Sequence, residues 1–125
     1  DVLKVFRNYQ EVDGVKFKDV NFPKDLYFQV KDDLKGCRFD AIATGLQIYT
    51  EELILKWVEN LVIQTGISSI VIGGGVAQAG DIYWNPLMKH IRAESEYHGF
   101  LRDLKVSPAK LTTDAGLIGA ALGVL

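Results

Sequence analysis

A β-branched run, Ile70-Val71-Ile72, ends directly in Gly73-Gly74-Gly75, and no other segment of this chain narrows its fold as much. A short continuous apolar run bounded by a turn signal is expected of a strand buried on both faces, which is the condition of a parallel sheet. Parallel strands need crossover connections, usually helices, and the flanking sequence supplies them. Upstream, Ile42, Leu46, Leu53, Trp57 and Leu61, widened by Ile54, Val58 and Val62, keep helical spacing across residues 39–65 and stop at Gly66. This predicts one long helix with Asp40 near its start. Downstream, residues 81–97 read as another helix, in which Pro86 is tolerable only in the first turn.

The remaining segments complete an α/β pattern. Residues 4–20 read as a β-hairpin: Val5-Phe6 and Tyr9 precede the Asp13-Gly14 turn signal, and Val15, Phe17 and Val20 follow it. Asn21-Phe22-Pro23 then opens a short amphipathic helix with Asp25 near its positive end, Leu26, Val30 and Leu34 on one face, and Gly36 as its stop. Residues 1–36 are thus expected to form a peripheral hairpin and short helix. Residues 101–106 read as a second strand with Leu104 and Val106 on one face, and residues 114–125 as a small-residue helix containing Gly116, Gly119, Ala120, Ala121 and Gly123. The expected order is ββ-α-α-β-α-β-α, with a mostly parallel sheet and packed helices.

Composition fits one domain over residues 1–125. The chain has 125 residues, 48% of them hydrophobic, and its 14 Lys and Arg against 16 Asp and Glu leave a net charge of −2. Interleaved charges of both signs give no basic face for nucleic acid. Apolar stretches are interrupted too early for a membrane span, and the first residues lack the basic-then-apolar order of a secretory signal. One Cys and two His write neither a disulfide framework nor a four-ligand zinc site. A cytoplasmic setting is expected. Asp1 where an initiator Met would stand points to a chain that begins inside a longer polypeptide or was processed or cut.

Two places could carry chemistry. Gly73, Gly74 and Gly75 remove every Cβ where a parallel sheet opens its carboxyl edge, so a ligand such as a nucleotide could lie against backbone N–H groups there. The alternative is a turn that needs glycine only for tight packing. The run is neither a G-x-G-x-x-G fingerprint nor a P-loop. At Thr112-Thr113-Asp114-Ala115-Gly116, Asp114 is either a helix cap or a carboxylate ligand for a metal. Asp81 carries the same ambiguity, with capping favoured. His90 and His98 lack a zincin arrangement, Cys37 lacks a His partner, and Trp57 and Trp84 fall at packing positions.

In this order, the long helix, strand, Gly-Gly-Gly, helix, strand and Asp-Ala-Gly helix resemble the C-terminal, ribonuclease-H-like lobe of the actin-like ATPase superfamily. In that superfamily two lobes clamp ATP, and the resemblance implies that Gly73, Gly74, Gly75 and Val76 approach the nucleotide. Over residues 1–77, Asp13-Gly14-Val15-Lys16-Phe17, Arg38-Phe39-Asp40-Ala41-Ile42-Ala43, Gln47, Glu51-Glu52-Leu53, Thr65-Gly66-Ile67 and Gly73-Gly74-Gly75-Val76-Ala77 look like the nodulation-type carbamoyltransferases. This implies carbamoyl transfer from carbamoyl phosphate through a carbamoyl-adenylate, with ATP and a divalent metal, Mg or Fe, for which Asp114 would be one ligand. Thr113 replaces the Gly that precedes that Asp in the family, and Ala79 replaces its Asn.

From Gly73 onward the chain is similar to the ROK family of sugar kinases and repressors. That pattern is matched by residues 73–81, Pro86-Leu87, Pro108-Ala109, Leu111 and residues 114–121, while the family's Cys-rich zinc motif is absent. Under either resemblance the catalytic residues of an N-terminal lobe lie outside these 125 residues. The expectation is therefore an ATP-binding lobe of a carbamoyltransferase-like enzyme, inactive alone, with a ROK-type sugar kinase lobe as the alternative. A third reading, from a different class, is a non-enzymatic module that self-associates through its Gly/Ala-rich helix face.

Overall fold

A computed structural model describes residues 1–21, 23–111, 114, 121 and 122. Its contacts gather into two compact units, Asp1–Gly66 and Ile67–Leu125.

The first unit begins with a helix rather than a strand. Val2, Val5, Phe6 and Tyr9 are spaced by three and four residues, and Asp1 accepts a hydrogen bond from the Leu3 amide at 3.2 Å, so the chain enters α1 (Val2–Arg7) at once. The upstream half of the expected hairpin is corrected by this. The Asp13-Gly14 turn itself is where the sequence put it: β1 (Gln10–Asp13) pairs antiparallel with β2 (Lys16–Asp19), with Val12 opposite Phe17. Gly14 has φ 61°, the conformation a II′ hairpin requires of its first central residue.

Helix α2 (Leu26–Asp33) starts later than expected. Asp25 is its cap, accepting from the Phe28 amide at 3.3 Å, and Pro23 lies before it rather than in its first turn. Helix α3 (Phe39–Thr65) has the expected bounds and ends at Gly66, whose φ of 69° provides a left-handed cap. Its length is about 40 Å at the standard rise. Of its expected apolar stripe, Ile42, Leu53, Trp57, Val58, Leu61 and Val62 are half-buried, whereas Leu46 and Ile54 are exposed.

The core of this unit is Phe6, Tyr9 and Leu34, with Val2, Val5, Val30, Ile42 and Tyr49 packed against it. All three buried residues come from the segment read as peripheral. Phe6 stacks on Tyr49 with ring centroids 5.9 Å apart and meets Tyr9 edge-on at 6.5 Å. Helix α1 lies so close to α3 that a Cβ on Gly45 would come within 2.8 Å of Val2 Cγ1. The hairpin is tied to α3 by side chains reaching its backbone: Asn60 donates to the Gly14 carbonyl at 2.6 Å, Trp57 to Val15 at 2.9 Å, and Tyr49 to Gln10 at 3.0 Å.

In the second unit, β3 (Ser69–Ile72) pairs with β4 (Lys105–Pro108) in parallel, in the register Ser69 to Lys105 through Ile72 to Pro108. Parallel pairing of two strands across a helix is as expected, but three details differ. Strand β3 is not buried on both faces, since Val71 is 64% exposed. The second strand begins at Lys105, not Leu101, because residues Gly99–Leu101 form a 3-10 turn. Helix α4 (Asp81–Glu94) holds Pro86 in its second turn, where the ring cannot donate to the Ile82 carbonyl. Among the described residues the parallel sheet has two strands, and Ala77 is the buried apolar residue of this unit. The small-residue helix expected at 114–125 lies largely outside the described residues. No described helix is long and apolar enough to cross a membrane.

Candidate functional site

Parallel pairing brings the carboxyl ends of β3 and β4 side by side, and the Ala109 amide continues the ladder by donating to the Ile72 carbonyl at 2.9 Å. Just beyond, the chain leaves β3 through the three glycines. Gly74 has φ 95°, a backbone that a side chain would strain. Gly75 has ordinary right-handed angles and caps a 3-10 turn, Val76–Gln78, held by Gln78 N–H to Gly75 at 3.2 Å and Ala79 N–H to Val76 at 3.1 Å. The indole N–H of Trp84 on α4 donates to the Ala77 carbonyl at 2.9 Å and so fixes this turn from below.

A cleft of about 260 Å³ opens at this point, with Ile72, Gly73, Gly74 and Ala77 on one wall and Pro108 and Ala109 on the other. Gln78 and Leu111 complete it. A Cβ on Gly73 would reach the Ala109 methyl at an ordinary 3.5 Å, and one on Gly74 or Gly75 would meet nothing within 4 Å among the described residues. Tight packing therefore accounts for neither of the latter two glycines. Gly73, Gly74 and Gly75 donate no backbone hydrogen bond among the described residues. The cleft thus combines unspent N–H donors with small, uncharged lining residues.

Of the residues singled out in the sequence, Gly73 and Gly74 line this cleft. Gly75 and Val76 adjoin it without lining it, Val76 being 73% exposed. Asp114 is an exposed turn residue, and the cleft does not include it. Its neighbours Thr112, Thr113 and residues 115–120 lie outside the described residues. Among the described residues, no group of three or more His, Cys, Asp or Glu could hold a metal ion. The sequence gives no site signal for Trp84, and for Pro108 and Ala109, which form the opposite wall, only one that is part of a longer pattern.

Displaced titrations lie elsewhere. Burial, reinforced by a 2.7 Å hydrogen bond to Asp33, pushes the Tyr9 phenol up to about 12. The Arg38 guanidinium, 2.8 and 3.0 Å from Asp40, holds that carboxyl below the usual range, and hydrogen bonding to Arg7 does the same for Glu52. These pairs are exposed and structural. A groove of about 630 Å³ at the start of α3 includes Cys37, Arg38, Thr44 and Ile48, but its cation is already paired with Asp40. In chemical terms the glycine cleft can receive an anion on backbone donors, and none of its lining side chains can take up or release a proton. Comparison with family models, with curated proteins and with solved structures found no match for this chain.

Proposed function

We propose that this chain is the ATP-binding C-terminal lobe of a two-lobe, carbamoyltransferase-like enzyme of the actin-like ATPase type. The observation that carries the reading is the pair of unspent amides at Gly73 and Gly74, which line a cleft at the carboxyl ends of two parallel strands, with that of Gly75 adjoining it. Ligands of open α/β sheets collect at that edge, and phosphate oxygens are natural acceptors for such donors. A volume of about 260 Å³ falls below the roughly 300–1,000 Å³ of pockets that enclose a small ligand. It suits one part of a nucleotide, the remainder being held by a second lobe.

In this reading the glycine amides bind phosphate oxygens, Trp84 keeps the turn that carries them in place, and Pro108 and Ala109 exclude water from one side. Bound ATP would supply the activating group. Asp114 would complete a metal site only alongside ligands from the other lobe. A ROK-type sugar kinase lobe is the second reading, and one observation favours it: Gly73, Pro108, Ala109 and Leu111, all part of that family's pattern, line the same cleft.

The first test is an amide chemical-shift titration of the chain with ATP. Shifts at millimolar nucleotide, centred on Gly73, Gly74 and Gly75, are expected because half the donors of a clamp are missing. Tight Mg-dependent binding with turnover by these 125 residues, or shifts confined to the first unit, would overturn the reading. To separate the two chemistries, Asp114→Ala is introduced into a reconstituted two-lobe protein. Loss of bound metal supports carbamoyl transfer; unchanged metal content with sugar phosphorylation supports the kinase.

A further inference from the structure

The walls of the glycine cleft are aliphatic residues, proline and glycine, with one exception. Gln78 alone among the described lining residues brings side-chain hydrogen-bonding atoms. Its carboxamide carries two N–H donors and a carbonyl acceptor, and that side chain makes no hydrogen bond among the described residues. The turn fixes where it stands: Gln78 N–H donates to the Gly75 carbonyl at 3.2 Å, and Trp84 holds the carbonyl of the preceding Ala77 at 2.9 Å. Residues of a 3-10 turn rise only about 2.0 Å each. The carboxamide therefore stands beside the amides of Gly73 and Gly74 and not at the far end of a long pocket.

Each part of a nucleotide makes a different demand on such a site. Phosphate oxygens only accept, and glycine amides suit them. A base calls for a flat ring to stack on, and among the described residues no aromatic side chain lines the cleft. The Trp84 indole lies below the turn with its N–H committed to Ala77. A cleft of about 260 Å³ is also too small to enclose a whole nucleotide. The ribose is the group next to the α-phosphate, and each of its vicinal hydroxyls both donates and accepts. A carboxamide complements that pair, its N–H donating to one oxygen while its carbonyl accepts from the other hydroxyl. A carboxylate, the usual ribose ligand of dinucleotide-binding folds, would repel a phosphate held so near, whereas Gln78 is neutral.

We propose that Gln78 is the specificity-determining residue of the cleft and that it reads the sugar. The α-phosphate sits on the Gly73 and Gly74 amides, the 2′- and 3′-hydroxyls meet the Gln78 carboxamide, and the base stays outside. This rests on the nucleotide-binding reading and deepens it. The cleft then selects a ribonucleotide over a deoxyribonucleotide and is indifferent to the base. A site that hydrogen-bonds a hydroxyl penalises the analogue that lacks it. Gln78 is exposed, so water takes the place of the lost partner, and the penalty is that of one neutral hydrogen bond, about three- to tenfold in affinity.

Amide chemical-shift titrations of the chain with ATP, GTP, 2′-deoxy-ATP and 3′-deoxy-ATP test this. ATP and GTP should bind alike at Gly73 and Gly74, and each deoxy analogue about three- to tenfold more weakly than ATP. Gln78→Ala should weaken ATP binding and make ATP and the two analogues equal. Shifts at Gly73 and Gly74 with no difference between ATP and either analogue would overturn the assignment to Gln78 and leave the nucleotide reading standing. So would a preference for ATP over GTP as large as that for ribose, or a preference for ribose that persists in Gln78→Ala. No shift at these glycines with any of the four nucleotides would overturn both. The comparison of ATP with its deoxy analogues uses the unaltered chain, so it decides the matter even if Gln78→Ala fails to fold.

Discussion

The two units solve the problem of holding a loop in opposite ways. In the first, side chains from a long helix reach out and grip the backbone of the hairpin: Tyr49, Trp57 and Asn60 each donate to a main-chain carbonyl of residues 10–15. Behind them lies an aromatic core in which Phe6 and Tyr9 are only 5% and 6% exposed. In the second, the glycine turn has one such grip, from Trp84, and otherwise depends on the strand ladder. The hairpin's carbonyls are consumed by structure; the glycine amides are not. Donors left unspent on a stiff strand end are what a binding surface needs, and a region that has already satisfied its polar groups has none to offer.

Truncating the core should break this contrast most forcefully. Phe6→Ala removes a nearly fully buried ring that contacts both Tyr9 and Tyr49, and the expected loss is about 3–5 kcal/mol by urea denaturation. The first unit should lose its hydrogen-exchange protection. A loss below 1 kcal/mol would show that the aromatic cluster is not the core.

Next comes the glycine turn. Gly74→Ala forces a side chain onto a backbone at φ 95°, at a cost of about 1–2 kcal/mol. Because nothing lies within 4 Å of the new Cβ among the described residues, strain and not a clash is the cause. Gly75→Ala, at ordinary angles, should be close to neutral in stability. If the two variants are equally unstable, the conformational account of Gly74 is wrong. ATP-induced shifts should disappear in Gly74→Ala whether or not the protein's melting temperature changes.

Smaller again is the loss of one grip. Asn60→Ala takes away the donor to the Gly14 carbonyl, which can still turn to water, so about 1 kcal/mol is expected. Faster exchange should be confined to β1 and β2.

The gentlest test uses pH. The unfolded chain loses the Tyr9 proton near 10, and the folded chain holds it to about 12. Stability is therefore unaffected below pH 10 and falls as pH rises from 10 to 12, because only the unfolded state releases its proton across that window. Tyr9→Phe should flatten that decline. Unchanged steepness would mean that Tyr9 is not the late-titrating phenol.

Features that rest on one residue's backbone demands were legible in the sequence. Gly66 ends a helix of the expected length, Gly14 turns the hairpin, and Gly73–Gly75 terminate a parallel strand. Features decided by competition between periods were not. Residues 2–9 fit a helical spacing as well as a strand, and the capping carboxylate of Asp1 tips the balance toward α1. Pro108 reads as a strand breaker, yet it ends β4 because its missing N–H faces outward from the pair. The cleft was half legible for the same reason: its glycine wall is a local signal, whereas the wall of Pro108 and Ala109 arrives from more than thirty residues away through strand register. The two family resemblances follow a similar division, since the residues matched to the carbamoyltransferases fall mostly in the first unit and those matched to the sugar kinases in the second.

The chain has two tryptophans, and each is hydrogen-bonded through its indole to the backbone of the loop that defines its own unit. Each unit consequently contains a native fluorophore whose emission depends on whether that bond is made. Trp57 reports on the hairpin and Trp84 on the glycine turn. With Trp57→Phe the remaining emission becomes an optical signal from the cleft alone, and with Trp84→Phe from the hairpin alone. Unfolding of the hairpin and occupancy of the cleft can then be followed separately, one in each single-tryptophan variant, without attaching a dye to Cys37.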